Sequence, residues 1–480
     1  MTNPPPPLTS VVRLLHFCQQ KPPEPPEERL RLSSLLAGAI ALAATSAALV
    51  ATPALADPES KIDPAITASG EHRAIVHVRQ PAQVASALST AEDVRRDRRN
   101  VEAEPPAEVA GKLDFFVYRG TRAELEQVAQ QSDVVSIRKD KLNEPSLLES
   151  IPLIGADKAH RAGFTGKGTA VAILDSGIDN DHPAFTGRIV AQACFSAADP
   201  VDGSSPLCPN GSQFQIGDGA ANAETESCMA GAPQPQFGLC YHGTHVAGIA
   251  AGQRTPEFAS SGVAPKAKIV PVQVFSRFDN SPYCLGRPVC ILAYDSSILT
   301  GMAYADLLAD QYNIAAVNLS LGGGMYGESC DAADGADFKA EVDKLLAKGT
   351  ATVVASGNNG FEASVSWPAC VSNAVAVGAT DKQDAVAAFS NRGTLIDLYA
   401  PGVAITGAIA GNTYATLNGT SMAAPHVAGA FALLRQKRKH ASVEQMLSAL
   451  QRTGKPITYT SAGTEVTTPR IDVWTALRRG

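Results

Sequence analysis

Charge is scarce in this chain. Asp, Glu, Lys and Arg make up only 18% of its 480 residues, with a formal balance of −7 and a pI near 5.8. Without a positive excess, a nucleic-acid or anionic-membrane surface is not expected. Metal-site patterns are missing as well. His242 and His245 stand three apart, yet no third ligand has matching spacing, and no EF-hand-like run occurs. What the chain does have is apolar content, 45% of residues, enough for a substantial buried core. Its length suits two or three ordinary domains, or one large α/β domain with appendages.

Residues 1–34 are rich in proline and charge. Pro4 to Pro7 stand in a row and four more prolines lie between Pro22 and Pro26, so no core forms there. Arg29 and Arg31 then precede an apolar stretch, 35–50, that ends in the small-x-small pattern Pro53-Ala-Leu-Ala56. Residues 1–56 are expected to be a secretory signal peptide with a long n-region, cut after Ala56, rather than an uncleaved membrane anchor. Cysteine usage agrees with export. Cys18 lies in the N-terminal segment, whereas Cys194, Cys208, Cys228, Cys240, Cys284, Cys290, Cys330 and Cys370 all lie later. An even count there suits four disulfides formed outside the cell or in a periplasm. The sequence leaves connectivity open. Local pairing is the expectation (194 with 208, 228 with 240, 284 with 290, 330 with 370), and eight buried thiols the alternative.

Residues 57–70 read as a linker. Residues 71–145 carry a small α+β pattern: strands at 73–78, 113–118 and 134–137, a helix opening near 84–88, and a charged loop at 97–112. Gly120 is expected to break the second strand. Thr121 can cap a helix with Glu124 at the third position, ahead of Leu125 and Val128. The character changes near Ile151, and 146–480 reads as one α/β domain. Val/Ile/Ala-rich runs at 169–174, 268–274, 315–319, 351–355 and 374–377 read as buried strands. Helices are expected at 295–308 and 336–348, with Phe338, Val342, Leu345 and Leu346 on one face and Gly349 as the stop. Another is expected near 443–451, and the pattern finishes at 471–477. Such alternation implies a parallel sheet covered on both faces, with ligands beyond the carboxyl ends of its strands.

Three Gly-rich stretches sit at element ends. Asp175 closes a strand in Ala172-Ile-Leu-Asp-Ser-Gly-Ile-Asp179. His242 opens a helix in Tyr241-His-Gly-Thr-His-Val-Ala-Gly-Ile-Ala-Ala251. Ser421 opens another in Asn418-Gly-Thr-Ser-Met-Ala-Ala-Pro-His426, among unpaired N–H groups that favour negative charge. One Asp, one His and one Ser make an orienter, base and nucleophile set.

These stretches, in the order Asp, His, Ser, resemble the subtilisin-like serine proteases, the subtilases. Ala355-Ser-Gly-Asn-Asn-Gly360 resembles their oxyanion segment. The resemblance runs from about Ile151 to the C-terminus. It implies a subtilisin-like three-layer α/β fold with a central, mostly parallel sheet. It implies a triad of Asp175, His242 and Ser421, with the Asn358 side chain and the Ser421 N–H as oxyanion donors. Asn359 is the lesser candidate. Ser320, Leu321, Gly322 and Gly323 resemble the edge that pairs with an extended substrate, and Ala355, Ser356 and Gly357 would line the S1 pocket opposite. The unit 71–145 resembles the inhibitory, folding-assisting propeptide, cut between about Lys139 and Ser150. The expected function is a secreted serine endopeptidase, extracellular or periplasmic, made as a zymogen. It would act on proteins and peptides as a monomer, with no cofactor for chemistry and no membrane contact once mature.

Departures from the family pattern are informative. Asp175 and His242 stand 67 positions apart, about twice a minimal subtilase. The excess, near 190–240, holds four of the cysteines and the run Gly217-Asp-Gly-Ala-Ala-Asn-Ala-Glu224, and reads as a disulfide-stapled insertion. The loop Gln253-Arg-Thr-Pro-Glu-Phe-Ala-Ser-Ser261 lacks the Asn that usually helps hold a structural calcium, so none is expected there; carboxylates in the insertion leave other sites open. His245 reads as a structural neighbour, His426 as a packed helical residue and Asp179 as a solvated turn residue. Rival functions are a catalytically inactive subtilase-fold binding protein and a processing protease with basic preference. A lipase or esterase would show the order Ser, Asp, His, which is not the order here.

Overall fold

Strand and helix segments follow the apolar periodicities closely. The computed structural model describes residues 58–64, 66–94, 115–139, 147–232, 237–332 and 335–480. The chain divides into two compact units between Asn143 and Glu144. The signal-peptide segment with Cys18 and the loop 97–112 lie outside the described residues.

In the smaller unit, β1 (Glu71–Val78) pairs antiparallel with β2 (Phe115–Thr121) on one side and with β3 (Val134–Lys139) on the other. Helices α1 (Val84–Val94) and α2 (Arg122–Ala129) pack together. Ala74, Val76, Leu125, Val128 and Ile137 form the core. The Thr121 hydroxyl accepts the Glu124 N–H while the Glu124 carboxylate accepts the Thr121 N–H, the reciprocal cap written in the sequence. Gly120 does not break β2. It pairs with His72, and the chain turns straight from Thr121 into α2.

The larger unit is built on a ten-stranded sheet. Its central strands are β4 (Ala170–Asp175), β5 (Lys268–Gln273), β6 (Ile314–Leu319), β7 (Ala351–Ala355), β8 (Ala374–Thr380) and β9 (Leu398–Pro401). All pair in parallel, in the spatial order β9-β8-β7-β6-β4-β5. The chain runs from β4 to β5 on one side and then to β6 on the other, so β4 marks the switch in strand order. Side chains alternate between two cores. Val171 and Ile173 of β4 enter the core shared with α3 (Tyr241–Ala251) and α6 (Thr420–Lys437). Ala172 and Leu174 enter the core shared with α4 (Asp295–Tyr312) and α5 (Ala336–Ala347). This is why the strands read as continuous apolar runs. In α5, Phe338, Val342 and Leu345 are buried while Leu346 is only half-buried. Beyond it, the Gly349 N–H bonds Leu346 O and the Thr350 N–H bonds Leu345 O, a Schellman stop.

Both sheet edges escaped the periodicity reading. Residues Ala193–Phe195 and Phe214–Ile216 extend one edge from inside the insertion. A hairpin, Lys455–Ser461 and Thr464–Arg470, forms the other, lying between the helices Val443–Thr453 and Val473–Arg479. Pro456 and Pro469 face each other in it, and prolines inside a short Thr-rich run disguise a strand unless it lies at an edge.

Asp397, just before β9, accepts the Ala376 N–H at 2.8 Å, and burial pushes its carboxyl up to about 6. A carboxyl that holds its proton more tightly folded than unfolded contributes stability at low pH and loses it as pH rises from about 4 through 6. In an inactive Ser421→Ala background, Asp397→Asn keeps the acceptor for Ala376 and is expected to remove this part of the fall. Urea midpoints measured from pH 4 to 7 check it.

Candidate active site

The three chemistry-bearing residues sit on three elements that meet at the carboxyl end of the sheet. Asp175 is the last residue of β4, at the switch in strand order, where open α/β sheets bind ligands. His242 and Ser421 are each the second residue of a helix, α3 and α6, and those two helices pack on each other. Asp175 Oδ1 lies 2.8 Å from His242 Nδ1, with both residues buried. A carboxylate only accepts, so the ring proton is on Nδ1 and Nε2 carries the lone pair. The Ser176 N–H also donates to Asp175 Oδ1, at 2.7 Å.

Ser421 Oγ points elsewhere. It donates to the Ser320 carbonyl at 3.3 Å, and no hydrogen bond to His242 is formed among the described residues. Catalytic hydrogen bonds are often loose before substrate arrives, and a rotation about χ1 redirects this hydroxyl. Asn358 is held firmly. Its Oδ1 accepts the Thr420 N–H at 2.8 Å and the Thr420 hydroxyl at 2.9 Å, which turns Nδ2 the other way. Both Asn358 Nδ2 and the Ser421 N lie 3.5 Å from where a Cβ on residue 419 would be. Met422 Sδ lies 3.6 Å from the same point, so glycine at 419 leaves both nitrogens uncovered by a side chain of that residue.

The loop carrying Asn358 is tied down by Asn391. Its Nδ2 donates to Ser356 O at 2.9 Å, and its Oδ1 accepts the N–H groups of Asn359 and Phe361 at 2.9 and 3.1 Å. Gly357 allows this close approach. An added Cβ would lie 2.4 Å from Asn391 Nδ2 and 2.3 Å from Ser366 Oγ, and its φ of +102° suits only glycine.

Residues 166–469 match the model of the subtilase family. The chain belongs to the subtilases. Subtilisin BL and subtilisin Savinase, both of Lederbergia lenta, are each 34% identical to it over 303 residues, covering 63% of this chain and 89% of theirs. The alkaline protease of Shouchella clausii is 33% identical over 312 residues, covering 64% of this chain and 66% of its own. Among solved structures, a cold adapted subtilisin-like serine proteinase matches with 27% identity and a TM-score of 0.44, over 64% of this chain and 90% of that one. By its match to the family model, the larger unit is a subtilisin-like α/β domain, and the subtilase is a serine-type endopeptidase that needs no cofactor for its chemistry.

The residues expected to bind substrate differ in exposure. Ser320 is fully buried: its hydroxyl donates to Ser421 O at 2.8 Å and accepts from Asn318 Nδ2 at 2.9 Å, so it braces Ser421. Leu321 is buried too. Gly322 and Gly323 keep exposed surface, and Gly323 pairs antiparallel with Trp367. Of the three residues assigned to the S1 wall, Ala355 and Ser356 are buried, with the Ser356 hydroxyl donated to Asn391 O at 3.3 Å. Only Gly357 offers surface there. The four disulfides are 194–208, 228–240, 284–290 and 330–370.

Asp179 is not solvated. It is fully buried, with Oδ2 accepting the Asn412 N–H at 3.0 Å and Oδ1 the Asp181 N–H at 3.2 Å. Burial, then the nearby Glu224 and Asp181, push its carboxyl up to about 7. The three carboxylates lie within 4.8 Å of one another, and their oxygen donors are the group here with the chemistry for a hard divalent cation. His245 is no metal ligand: its Nε2 is shared between the Ile405 and Ala415 carbonyls at 3.1 Å each, and burial beside His242 pulls its pKa down to about 3. His426 is likewise neutral, pulled to about 4 by burial, its Nδ1–H donated to Met422 O and its Nε2 accepting from Ser150 Oγ.

Three supporting residues were not singled out from sequence. Ser176 and Thr420 lie inside motifs, next to Asp175 and Ser421, and adjacency was their signal. Asn391 lies in a loop with no pattern of its own. Asn391→Ala strands the Asn359 and Phe361 N–H groups and is expected to cost about 2 kcal/mol of stability. Thermal melting in the Ser421→Ala background measures this. In the active enzyme kcat is expected to fall further than KM changes.

Proposed function

We propose that this subtilase is an exported endopeptidase that works through Asp175, His242 and Ser421 and matures from a zymogen. The observation that carries the chemistry is the 2.8 Å Asp175–His242 contact, which leaves the Nε2 lone pair to act as the base. Ser421 Oγ attacks the scissile carbonyl while His242 Nε2 takes its proton. The oxyanion is held by Asn358 Nδ2 and the Ser421 N–H, whose nitrogens both lie next to Gly419. His242 then gives the proton to the leaving amine, and water hydrolyses the acyl-enzyme by the same steps reversed. Asp175 holds the tautomer and stabilises the imidazolium. Substrate backbone would lie along Gly322 and Gly323, with its P1 side chain toward Gly357.

Export is supported by the signal-like pattern before Ala56 and by four disulfides; among the described residues no helix is long and apolar enough to cross a membrane. The position of the smaller unit, between the signal-like segment and the subtilase unit, supports an inhibitory propeptide, and the mature enzyme acts as a monomer. Ser150 is buried against His426, and Ile151 and Ile154 belong to the core under α6. A cut beyond Ser150 would remove part of that core, so we propose maturation between about Lys139 and Ser150.

Two experiments test this reading. Wild type is expected to digest casein and to react with a serine-directed fluorophosphonate, and Ser421→Ala to do neither and to stay unprocessed. A folded, processed wild type that does neither would leave an inactive binding protein as the better description. Asn358→Ala is expected to lower kcat by ~10²–10³, the range known for such a donor in subtilisin. N-terminal sequencing of the secreted enzyme is expected to start between residues 140 and 150; an active enzyme that retains Asp57 as its first residue contradicts the zymogen.

A further inference from the structure

We infer that the Cys228–Cys240 disulfide is a positioning device for His242, acting with the Ser176 hydroxyl to hold α3 in register with the end of β4. The inference rests on the reading of His242 as the general base.

Cys240 is the N-cap of α3, two residues before His242, and its side chain makes no capping hydrogen bond. Its sulfur is bonded to Cys228 instead. The cap comes from across the site. Ser176 Oγ accepts the Gly243 N–H at 3.0 Å and donates to Cys240 O at 3.1 Å, so one hydroxyl grips both sides of His242. Ser176 is the residue after Asp175, and Gln273 Nε2 holds its carbonyl at 3.0 Å. The fit is close. A Cβ on Gly243 would lie 2.1 Å from Gly177 O and 3.2 Å from Asp175 Cβ.

The other half of the disulfide is anchored to the same strand end. The Ile178 N–H donates to Ala221 O at 2.8 Å, and the Ala223 N–H donates back to Ile178 O at 2.9 Å. From there the chain enters the short helix Glu226–Met229, capped by Thr225, which carries Cys228. The links close a ring: the exit of β4, the 221–223 backbone, Cys228, Cys240, the start of α3, and back through Ser176 to β4. The disulfide is its one covalent cross-link. The other ties at this helix start are hydrogen bonds: the Ser176 hydroxyl, the Thr244 hydroxyl that accepts the Asp179 N–H at 2.9 Å, and the Leu239 N–H on Cys228 O. Closed through sulfur, the helix start is fixed against the strand that carries Asp175. A base misplaced by about 1 Å costs up to ~10²-fold in rate.

The test compares kcat and KM on one peptide substrate for wild type, Cys228→Ala/Cys240→Ala and Cys284→Ala/Cys290→Ala. The last pair closes a short loop in a separate small core and serves as the control. Removing Cys228–Cys240 is expected to lower kcat at least ~10-fold with KM changed less than about twofold, while the control changes neither. A folded Cys228→Ala/Cys240→Ala enzyme with wild-type kcat, or an equal loss in the control, overturns the inference. If that variant does not fold, Ser176→Ala decides, since it leaves the disulfide and removes only the hydroxyl clamp: a selective kcat loss supports the device and an unchanged kcat overturns it. An inactive wild type would instead sink the triad reading itself.

Discussion

The Asp175–His242 hydrogen bond is the constraint around which the larger unit is arranged. It requires the end of a central strand and the start of a helix that follows 67 positions later to meet within 2.8 Å. The carboxylate decides the tautomer, and the tautomer decides which nitrogen can act as base. The sheet supplies the place. Its order reverses at β4, so the carboxyl end of that strand opens onto a crevice, while α3 and α6 pack on one face with their N-termini nearby. Ser421 and Asn358 then need only short-range fixtures. Ser320 braces one and Thr420 and Asn391 brace the other, mostly through buried hydroxyl and amide groups with few alternative partners.

Two carboxylates leave the same strand end into opposite environments. Asp175 has an imidazole and a backbone N–H as partners. Asp179, four residues on, is buried beside two further acids and is pushed toward neutrality. The difference separates an orienting carboxylate from one whose charge is tolerated only with a proton or a cation. His245 and His426 are the matching cases among bases. Both are buried against carbonyls and held neutral, so neither competes with His242 for a proton near neutral pH.

The insertion changes how the family's architecture is held rather than what it does. It lends two short strands to one edge of the sheet and contributes Glu224 to the acidic cluster. Its backbone is pinned to the exit of β4 through Ile178 and its sulfur to the start of α3 through Cys240. A segment of this length costs little in closure entropy once its ends are fixed, so the fold accommodates it easily.

Much of the protein was legible in the chain itself. Buried parallel strands are apolar on both faces, which is why β4, β6 and β7 were readable almost to the residue. Local hydrogen bonds close within a few positions, which is why the Thr121–Glu124 cap and the Gly349 stop were readable too. Asp175, His242, Ser421 and Asn358 could be singled out as candidates because each lies in a Gly-rich stretch at an element end. The edge strands were not legible, since exposure and proline remove the apolar run that marks a strand. Nor were Asn391, the inward turn of Ser320 and Ser356, or the burial of Asp179. Each depends on partners 35 to 233 positions away, as Asn391 with Ser356 and Asp179 with Asn412 show. The residue types that can do chemistry are a property of the sequence; which of them face the crevice, and which are spent holding it in place, is decided only when distant segments pack.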